Sequence, residues 1–194
     1  MAKHNFEDIL DTGIELLRTH GYYGTGIQHV LTACEMPKGS FYNYFESKQA
    51  FVQQSVERYI QGILTELNSL LMEESLSGRD KVEQFFRNQL RYYQEKEYRM
   101  TCLMSILSFE LGGDETELTR SITAGFGAMR ELISRMIKQG QDEGEITTNF
   151  TPSELTDHVM NGFNGALIAM KHERSPRAVN RFLDVELRML SPAT

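Results

Sequence analysis

The sequence predicts an all-α fold of about nine helices, and two features of the chain support this prediction. Apolar residues recur at intervals of three and four along almost every long segment, as the buried face of a helix requires. No segment shows the strict alternation of apolar and polar residues that is typical of a half-buried strand. Glycine, proline and capping residues separate these segments and predict where the helices begin and end.

The N-terminal segment predicts two helices. The first covers residues 5–20, ends before Gly21 and has an apolar face that contains Phe6, Ile9, Leu10, Leu16 and Leu17. Thr25 and Gln28 are spaced as in a capping box, in which each side chain accepts a hydrogen bond from the other residue's backbone N–H. They predict the start of a second, short helix that contains Val30, Leu31 and Ala33.

A third helix is predicted from Pro37 to Phe45. A three-residue break, 34–36, precedes Pro37, whose fixed φ suits the first position of a helix and whose missing N–H is not needed there. Two short helices joined by a tight turn, with an exposed polar second helix, are the organisation of a helix-turn-helix motif. Such a motif places its second helix in the major groove of DNA, and the sequence therefore predicts a DNA-binding domain.

The side chains of the third helix suit contacts with phosphates and base edges. Lys38 can reach a phosphate, Gly39 lets the backbone approach the duplex, and hydroxyl and amide groups are offered by Ser40, Tyr42, Asn43 and Tyr44. Ser47 is the predicted N-cap of the next helix, where Lys48 and the first backbone amides would meet one phosphate. Phe41 and Phe45 lie four residues apart and are predicted to face the core.

The first fifty or so residues resemble the DNA-binding domain of the TetR repressors, through Gly21-Tyr22, Thr25, Ile27, Lys38-Gly39-Ser40-Phe41-Tyr42, Tyr44-Phe45 and Ser47-Lys48. The resemblance implies a homodimer with a helix-turn-helix DNA-binding domain at 1–47 and a helical effector-binding and dimerisation domain at 48–194. The predicted DNA-binding residues, taken from the resemblance and the residue pattern together, are Thr25, Gly26, Lys38, Gly39, Ser40, Tyr42, Asn43, Tyr44 and Lys48.

The chain departs from this family in the turn, where Cys34 and Glu35 stand in place of the usual small residue and glycine. A non-glycine residue in a left-handed turn conformation costs about 1 to 2 kcal/mol, and a carboxylate near phosphates repels them. We therefore expect the turn to affect the choice of DNA sequence rather than the mode of binding.

Composition limits the cellular context and the way DNA is bound. The 194 residues contain no apolar run near twenty and no secretion leader, so we expect a cytoplasmic protein without a membrane span. Only two cysteines are present, which argues against a disulfide framework. The net charge is −7, and the first fifty residues hold four Lys or Arg against six Asp or Glu, a net of −2. Binding must therefore depend on where individual cations lie.

Further helices are predicted to the end of the chain. Their predicted bounds are 47–72, 79–96, 101–111, 114–140, 151–170 and 177–190. Asp114 with Glu117 and Thr151 with Glu154 have the spacing of helix N-termini, and Pro152 suits a first helical position. The helix at 101–111 is almost wholly apolar, which predicts burial on all sides.

Small and apolar residues near the C-terminus predict close helix packing at Gly162, Gly165, Ala166, Ala169, Phe182, Val185 and Met189. Ordinary packing within one chain is one explanation. The family resemblance favours the other, a two-fold four-helix interface between two copies. A symmetric dimer would place two recognition helices about 34 to 36 Å apart and would bind a palindromic operator in double-stranded DNA.

Aromatic and methionine residues in the middle of the chain predict an effector pocket at Phe85, Phe86, Tyr92, Tyr93, Met104, Phe109, Phe126 and Met129. Such side chains adapt to apolar or aromatic ligands, but they also fill ordinary cores. A small-molecule effector is therefore one expectation for this region, and a simple hydrophobic core is the alternative.

Cys102 is a candidate sensor of electrophiles. It lies at the second or third position of the predicted apolar helix, where free backbone amides favour a thiolate, although most free cysteines are inert buried residues. The segments Glu35–Tyr42, Arg79-Asp80-Lys81, Cys102-Leu103 and Glu110 resemble the NemR-type branch of the TetR family. That resemblance implies repression relieved by reactive electrophiles through the cysteine at this position.

Enzymatic activity is not expected. The sequence has no glycine-rich phosphate loop and no nucleophile elbow, and its five histidines are scattered, so no cofactor or metal site is predicted. A helical ligand-carrier or interaction protein remains as a remoter alternative, because helices with aromatic cores serve many functions.

Overall fold

The computed structural model describes residues 5–37, 39–113 and 115–192. Within these residues the chain forms eight α-helices and one 3₁₀ helix, and no strand. The 3₁₀ helix is Phe41–Asn43 and lies between α2 and α3. The helices are α1 Phe6–Gly24, α2 Ile27–Ala33, α3 Lys48–Met72, α4 Gly78–Glu95, α5 Leu103–Leu111, α6 Glu117–Asp142, α7 Pro152–Glu173 and α8 Arg177–Met189. The predicted all-α class is confirmed.

The chain divides into two compact units. Unit 1 consists of Met1–Gly62 and Cys102–Gly125, and unit 2 consists of Ile63–Thr101 and Phe126–Thr194. The helices α3 and α6 contribute residues to both units. Unit 1 therefore includes residues that a division at residue 47 assigns to the effector-binding domain, namely the first part of α3, all of α5 and the start of α6.

The predicted stop at Gly21 is present as a break in the helical backbone of α1. The Asn5 side chain accepts a hydrogen bond from the backbone N–H of Glu7 at 3.3 Å and caps the start of α1. At Gly21 the backbone has φ 75° and ψ −175°, which a residue with a Cβ rarely adopts. The chain continues from this break to Gly24. The local sequence therefore determined where the regular helix is interrupted.

The predicted capping box at Thr25 is wrong. The N-cap of α2 is Gly26, and its backbone N–H donates to Nδ1 of His29 at 3.3 Å. Thr25 lies one residue earlier in extended backbone and is 1% exposed, so its side chain is buried in unit 1 instead of capping the helix. Tertiary packing has shifted the helix start by one residue from the position that the local motif favoured.

The turn after α2 is a Schellman motif with Glu35 at the position where glycine is usual. The N–H of Met36 donates to the carbonyl of Leu31 at 2.8 Å, and the N–H of Glu35 donates to that of Thr32 at 3.2 Å. Glu35 has φ 54°, in the left-handed region. Met36 is buried, and this burial holds the strained turn closed.

The third helix predicted from Pro37 to Phe45 is not a regular α-helix. In the described part of residues 34–47, which we call the recognition segment, the only helix is the 3₁₀ helix Phe41–Asn43. The N–H of Ser40 bonds to the Pro37 carbonyl at 2.9 Å and the N–H of Tyr44 to the Phe41 carbonyl at 3.0 Å, so the chain forms successive tight turns. Glycine, serine and asparagine have low helix propensity, which explains why so short a segment does not continue as an α-helix.

Buried aromatic rings hold the recognition segment in unit 1. Phe41 and Phe45 are 0% and 2% exposed, and each ring lies beside Phe51 of α3, with centroid distances of 5.6 and 5.0 Å. The Phe6 ring of α1 stacks on Phe45 at 5.5 Å. A side chain at Gly13 would collide with the Phe51 ring, so α1 approaches α3 closely at this point. The prediction that Phe41 and Phe45 belong to the core agrees with these positions.

Helix α5 is only partly buried. Its residues Leu103, Met104 and Leu107 face the interior of unit 1, whereas Phe109 is 92% exposed. The expectation that this apolar helix is buried on all sides is therefore wrong, because its outer face has no packing partner among the described residues of the chain. The helix begins after Cys102, which is its N-cap. Asp114, the predicted start of the following helix, lies outside the described residues, and α6 begins at Glu117.

In unit 2, a buried lysine connects α3, α4 and α6. Lys81 of α4 is 3% exposed, and its ammonium donates to the Leu71 carbonyl and to Oε1 of Gln139, both at 3.0 Å. The Leu71 carbonyl belongs to the last turn of α3, which has no intrahelical donor, and Lys81 satisfies it. At the start of α4, the N–H of Gly78 donates to Glu143 at 2.7 Å.

The C-terminal helices begin as the sequence predicts. Thr151 and Glu154 form the capping box of α7, with Pro152 in its first turn. An aromatic cluster joins α4, α7 and α8, because Phe86 lies 4.8 Å from Phe163 and 5.4 Å from Phe182 between ring centroids. No helix among the described residues is long and apolar enough to cross a membrane.

The strained turn at Glu35 generates a stability prediction. Glu35→Gly removes the left-handed strain but increases the entropy of the unfolded chain, and we expect a net gain of about 0.5 to 1 kcal/mol in the free energy of unfolding. Denaturant titration followed by circular dichroism measures it. Glu35→Ala removes the same carboxylate and keeps the strain, so it serves as the control. Equal stability of the two variants would contradict the assigned backbone strain.

Candidate nucleic-acid interface

The exposed side of the recognition segment carries most of the predicted DNA-binding residues. Tyr42 is 63% exposed, and Gly39 and Asn43 are also exposed, while Ser40 is half-buried. The 3₁₀ helix turns Tyr42 and Asn43 outward while it turns Phe41 inward, so adjacent residues lie in solvent and in the core. Lys38 lies outside the described residues. The exposed groups of this segment include hydroxyls and an amide, which hydrogen-bond to phosphates and to base edges.

Two predicted contact residues before α2 occupy different environments. Gly26 is half-buried at the N-cap of α2, where its backbone is partly accessible. Thr25 is 1% exposed, and its Oγ1 has no hydrogen-bond partner among the described residues. The prediction that the Thr25 side chain contacts DNA does not fit this burial, since a phosphate cannot reach it without a rearrangement.

Tyr44 lies at the inner edge of the recognition segment. It is half-buried, and its ring stacks on Phe6 of α1 with centroids 6.5 Å apart. The ring therefore contributes to the packing of unit 1. Its partial exposure leaves the predicted DNA contact a proposal.

Lys48, at the first position of α3, is held by Tyr22. Its Nζ donates to the Tyr22 carbonyl oxygen at 2.6 Å and lies 4.2 Å from the centroid of the Tyr22 ring. Burial lowers the pKa of Lys48, and the nearby Glu110 carboxylate opposes this shift. The ammonium is thus fixed at the start of a helix, next to backbone amides that favour an anion.

Sequence reasoning missed the part that Tyr22 and Glu110 take in this arrangement. The Tyr22 N–H donates to Oε2 of Glu110 at 2.5 Å, although the two residues are 88 positions apart. Periodicity carries no information about such a contact. The available signal was that Glu110 is the only ionisable residue in the nine-residue, otherwise mostly apolar helix α5.

The turn of the recognition segment adds a negative charge to this surface. Glu35 is exposed, whereas Cys34 is half-buried. Burial raises the pKa of the Cys34 thiol, and a hydrogen bond from the side chain of Thr12 partly offsets the effect. Burial thus disfavours the thiolate form of Cys34, while the Glu35 side chain is exposed.

The residues predicted to line an effector pocket lie in both units. In unit 2, Phe85, Phe86, Tyr93 and Met129 are buried, and Tyr92 and Phe126 are half-buried. In unit 1, Met104 is fully buried, but Phe109 is 92% exposed. The prediction for Phe109 is therefore corrected, because a ring on the outer face of α5 does not line an interior pocket. Phe86 belongs to the tightly packed aromatic cluster of unit 2.

Cys102 is the N-cap of α5 instead of its second or third residue. Its side chain is 7% exposed, and the Tyr59 hydroxyl lies 3.9 Å from its Sγ. The Tyr59 ring also lies under the guanidinium of Arg18, 5.2 Å from the ring centroid. The sulfur is thus in a buried part of unit 1, and it makes no capping hydrogen bond to the first amides of α5.

The C-terminal residues predicted to form a dimer interface separate into two groups. Phe182 is 5% exposed and packs against Phe86 and Phe163, so it belongs to the core of its own chain and its assignment to the interface is wrong. Val185 and Met189 of α8 are 46% and 61% exposed. On α7, Gly165 is exposed and Gly162, Ala166 and Ala169 are half-buried. Ile168, which sequence reasoning did not select, is 66% exposed.

Comparison with known proteins relates both parts of the chain to DNA-binding regulators. Residues 9–54 match the family model described as bacterial regulatory proteins of the tetR family. Residues 78–185 match the model described as the tetracyclin repressor-like C-terminal domain, which alone covers more than half of the chain.

Individual relatives extend over almost the whole chain. The transcriptional repressor DhaR of Mycobacterium sp. (strain GP1) is 27% identical over 188 residues, which cover 97% of this chain and 93% of DhaR. The transcriptional repressor NemR of Escherichia coli K12 is 27% identical over 179 residues, covering 90% of each protein. Both relatives are regulators and not enzymes.

Solved structures share the fold. The crystal structure of the reduced form of E. coli NemR has a TM-score of 0.83 at 26% identity, covering 97% of this chain and 98% of that one. The regulatory protein TetR from Rhodobacter sphaeroides has a TM-score of 0.88 at 24% identity, covering 94% and 97%. With two family models matched, one on either side of residue 60, the chain belongs to the TetR family of bacterial regulatory proteins.

Proposed function

We propose that this protein is a homodimeric transcriptional repressor that binds a palindromic operator and is released from it by a small-molecule or electrophile signal. The observation that carries the proposal is the recognition segment, in which the side chains of Tyr42 and Asn43 are exposed while both phenylalanines are buried. Family membership supports the same function, since the relatives DhaR and NemR are repressors. Residues 1–47 would form the DNA-binding domain and residues 48–194 the effector-binding and dimerisation domain, in the cytoplasm, where the chromosome is.

In this proposal the predicted contact residues have separate roles. Ser40, Tyr42 and Asn43 donate or accept hydrogen bonds at phosphates and base edges. Lys48 contacts a phosphate at the N-terminus of α3, and Lys38 is assigned the same role from its sequence position. Because the first fifty residues carry a net charge of −2, few cations are available and each phosphate contact matters.

DNA binding is tested by footprinting on the promoter next to the protein's own gene. We expect protection of a palindrome, with weak binding to random DNA because the overall charge is negative.

Tyr42→Ala should weaken operator binding about tenfold, the effect of one lost hydrogen bond to a charged group. Phe150→Ala removes a ring that is 56% exposed in unit 2 and is the matched control. Absence of any footprint, or equal affinity for operator and random DNA, would refute the function.

The dimer interface in this proposal is the exposed apolar surface of α7 and α8. Ile168, Val185 and Met189 are all between 46% and 66% exposed, and Gly165 offers a small, open position on the same helix as Ile168. Exposed apolar side chains that are grouped on neighbouring helices are typical of association sites. Packing between two copies of this surface would give the two-fold symmetry that a palindromic operator requires.

Charge substitutions test this interface. Ile168→Glu combined with Val185→Glu should convert the dimer to a monomer, because each carboxylate would be buried without a partner. Sedimentation equilibrium measures the mass. Met72→Glu is the control, since Met72 is 78% exposed on α3. A wild-type monomer, or a double variant that remains dimeric, would contradict the assignment of the interface.

The effector signal in this proposal acts through Cys102. An electrophile with an activated C=C bond would add to Cys102: the thiol proton passes to solvent, the sulfur bonds to the β carbon as the π bond breaks, and the α carbon takes up a proton from solvent. The adduct would enlarge a side chain that is 7% exposed at the start of α5 and would favour a conformer with lower operator affinity. The alternative is a hydrophobic ligand held without a covalent bond by the aromatic and methionine side chains of unit 2.

Alkylation with N-ethylmaleimide distinguishes these two signals. Mass spectrometry of the treated protein should find an adduct on Cys102, and operator binding should fall in parallel. Cys34→Ser should respond as the wild type does, whereas Cys102→Ser should stay bound to the operator. Normal release of Cys102→Ser would eliminate the covalent mechanism and favour a non-covalent ligand.

A further inference from the structure

We propose that Glu110 is a positioning residue for DNA binding, because its carboxylate holds Tyr22 in the conformation that places the Lys48 ammonium for a phosphate. The inference rests on the proposed DNA-binding function and extends it to a residue of α5. Glu110 lies outside the recognition segment and outside every set of contact residues predicted from the sequence. All three residues belong to unit 1.

The contact between Glu110 and Tyr22 is fixed by two features of the backbone. The Tyr22 N–H donates to Oε2 of Glu110 at 2.5 Å. The preceding Gly21 has φ 75°, which turns this N–H out of the helical pattern of α1. A Cβ at Gly21 would displace the Glu110 carboxylate from this position, and the positive φ also disfavours any residue other than glycine there. The Tyr22 N–H, turned away from the helical pattern, is thus bound by the Glu110 carboxylate.

Tyr22 in turn holds the Lys48 side chain at two points. Its carbonyl oxygen accepts a hydrogen bond from Lys48 Nζ at 2.6 Å, and its ring lies under the same ammonium at 4.2 Å. An ammonium has three N–H donors, and the Tyr22 carbonyl takes one of them. The two remaining N–H donors of Lys48 stay available for a phosphate at the N-terminus of α3. Lys48 therefore loses little side-chain entropy when it binds DNA, because Tyr22 has already fixed its geometry.

The sign of the effect distinguishes positioning from bulk charge. Glu110 is an anion within the unit that carries the recognition segment, and its simple removal would reduce repulsion of DNA phosphates and strengthen binding. If Glu110 positions Lys48, its removal instead weakens binding and eliminates one phosphate contact. The two explanations therefore predict opposite changes for the same substitution.

The experiment measures operator affinity of the full-length protein by fluorescence anisotropy over a range of salt concentrations. Glu110→Met keeps the length of the side chain and removes the acceptor. We expect affinity to fall about tenfold and the negative slope of log K against log salt to become less steep by about one. Lys48→Met should show the same two changes. The double variant should bind no more weakly than either single variant, because both remove the same contact.

Glu115→Met is the matched control, since it removes the same charge from an exposed position in unit 1. Its affinity should equal or exceed that of the wild type, with an unchanged salt slope. Equal or tighter binding of Glu110→Met, or additive losses in the double variant, would overturn the proposal. If Glu110→Met does not fold, Glu110→Ala, which also removes the acceptor, is compared with Glu115→Ala, and equal affinities overturn the proposal. A wild-type protein that binds no DNA refutes the proposed function instead.

Discussion

Packing of Phe41 and Phe45 against Phe51 is the interaction on which the proposed DNA-binding surface depends. The recognition segment has only a 3₁₀ helix, so its own backbone hydrogen bonds do not make it rigid. The two buried rings attach it to α3, which is 25 residues long. Because Tyr42 lies between Phe41 and Phe45 in the sequence, anchoring these two rings orients its hydroxyl toward solvent.

The chain carries a negative net charge, and its architecture fixes one cation, Lys48, in place. Lys48 is held between a backbone carbonyl and an aromatic ring at the start of a helix. A fixed ammonium at a helix N-terminus attracts an anion more effectively than the same charge on a mobile side chain. Affinity then depends on geometry, which makes it sensitive to the packing of α1, α3 and α5 around this point. In the proposed mechanism, a change at α5 would reach Lys48 through the contact of Glu110 with Tyr22.

Sequence patterns predicted those features whose cause is local. The break at Gly21, the cap at Thr151 and the starts of α7 and α8 follow from neighbouring residues, and the structure agrees with them. The third helix failed because a segment of nine residues cannot form a stable helix from its propensity alone. Tertiary packing decides the conformation of such a segment, and the periodicity of apolar residues does not reveal that packing.

The candidate site was predicted less completely, because burial is a property of the whole chain. Thr25 and Phe182 have plausible types for surface contacts, but both are buried, and Phe182 packs against Phe86, which is far away in sequence. Phe109 is apolar yet exposed, since the described part of its own chain does not cover it. The Glu110 contact with Tyr22 spans 88 positions. Both residues belong to the segments that resemble the TetR family, but the only local signal was one carboxylate in a mostly apolar helix.

The most direct test of the role of aromatic packing is the operator affinity of Phe41→Ala, measured at a temperature where its circular dichroism equals that of the wild type. Phe41 is 0% exposed, so it does not touch DNA, and any change in affinity arises from the position of its neighbours. If the buried rings position the recognition segment, affinity falls at least about tenfold. Wild-type affinity in this variant would contradict the dependence of DNA binding on the aromatic cluster.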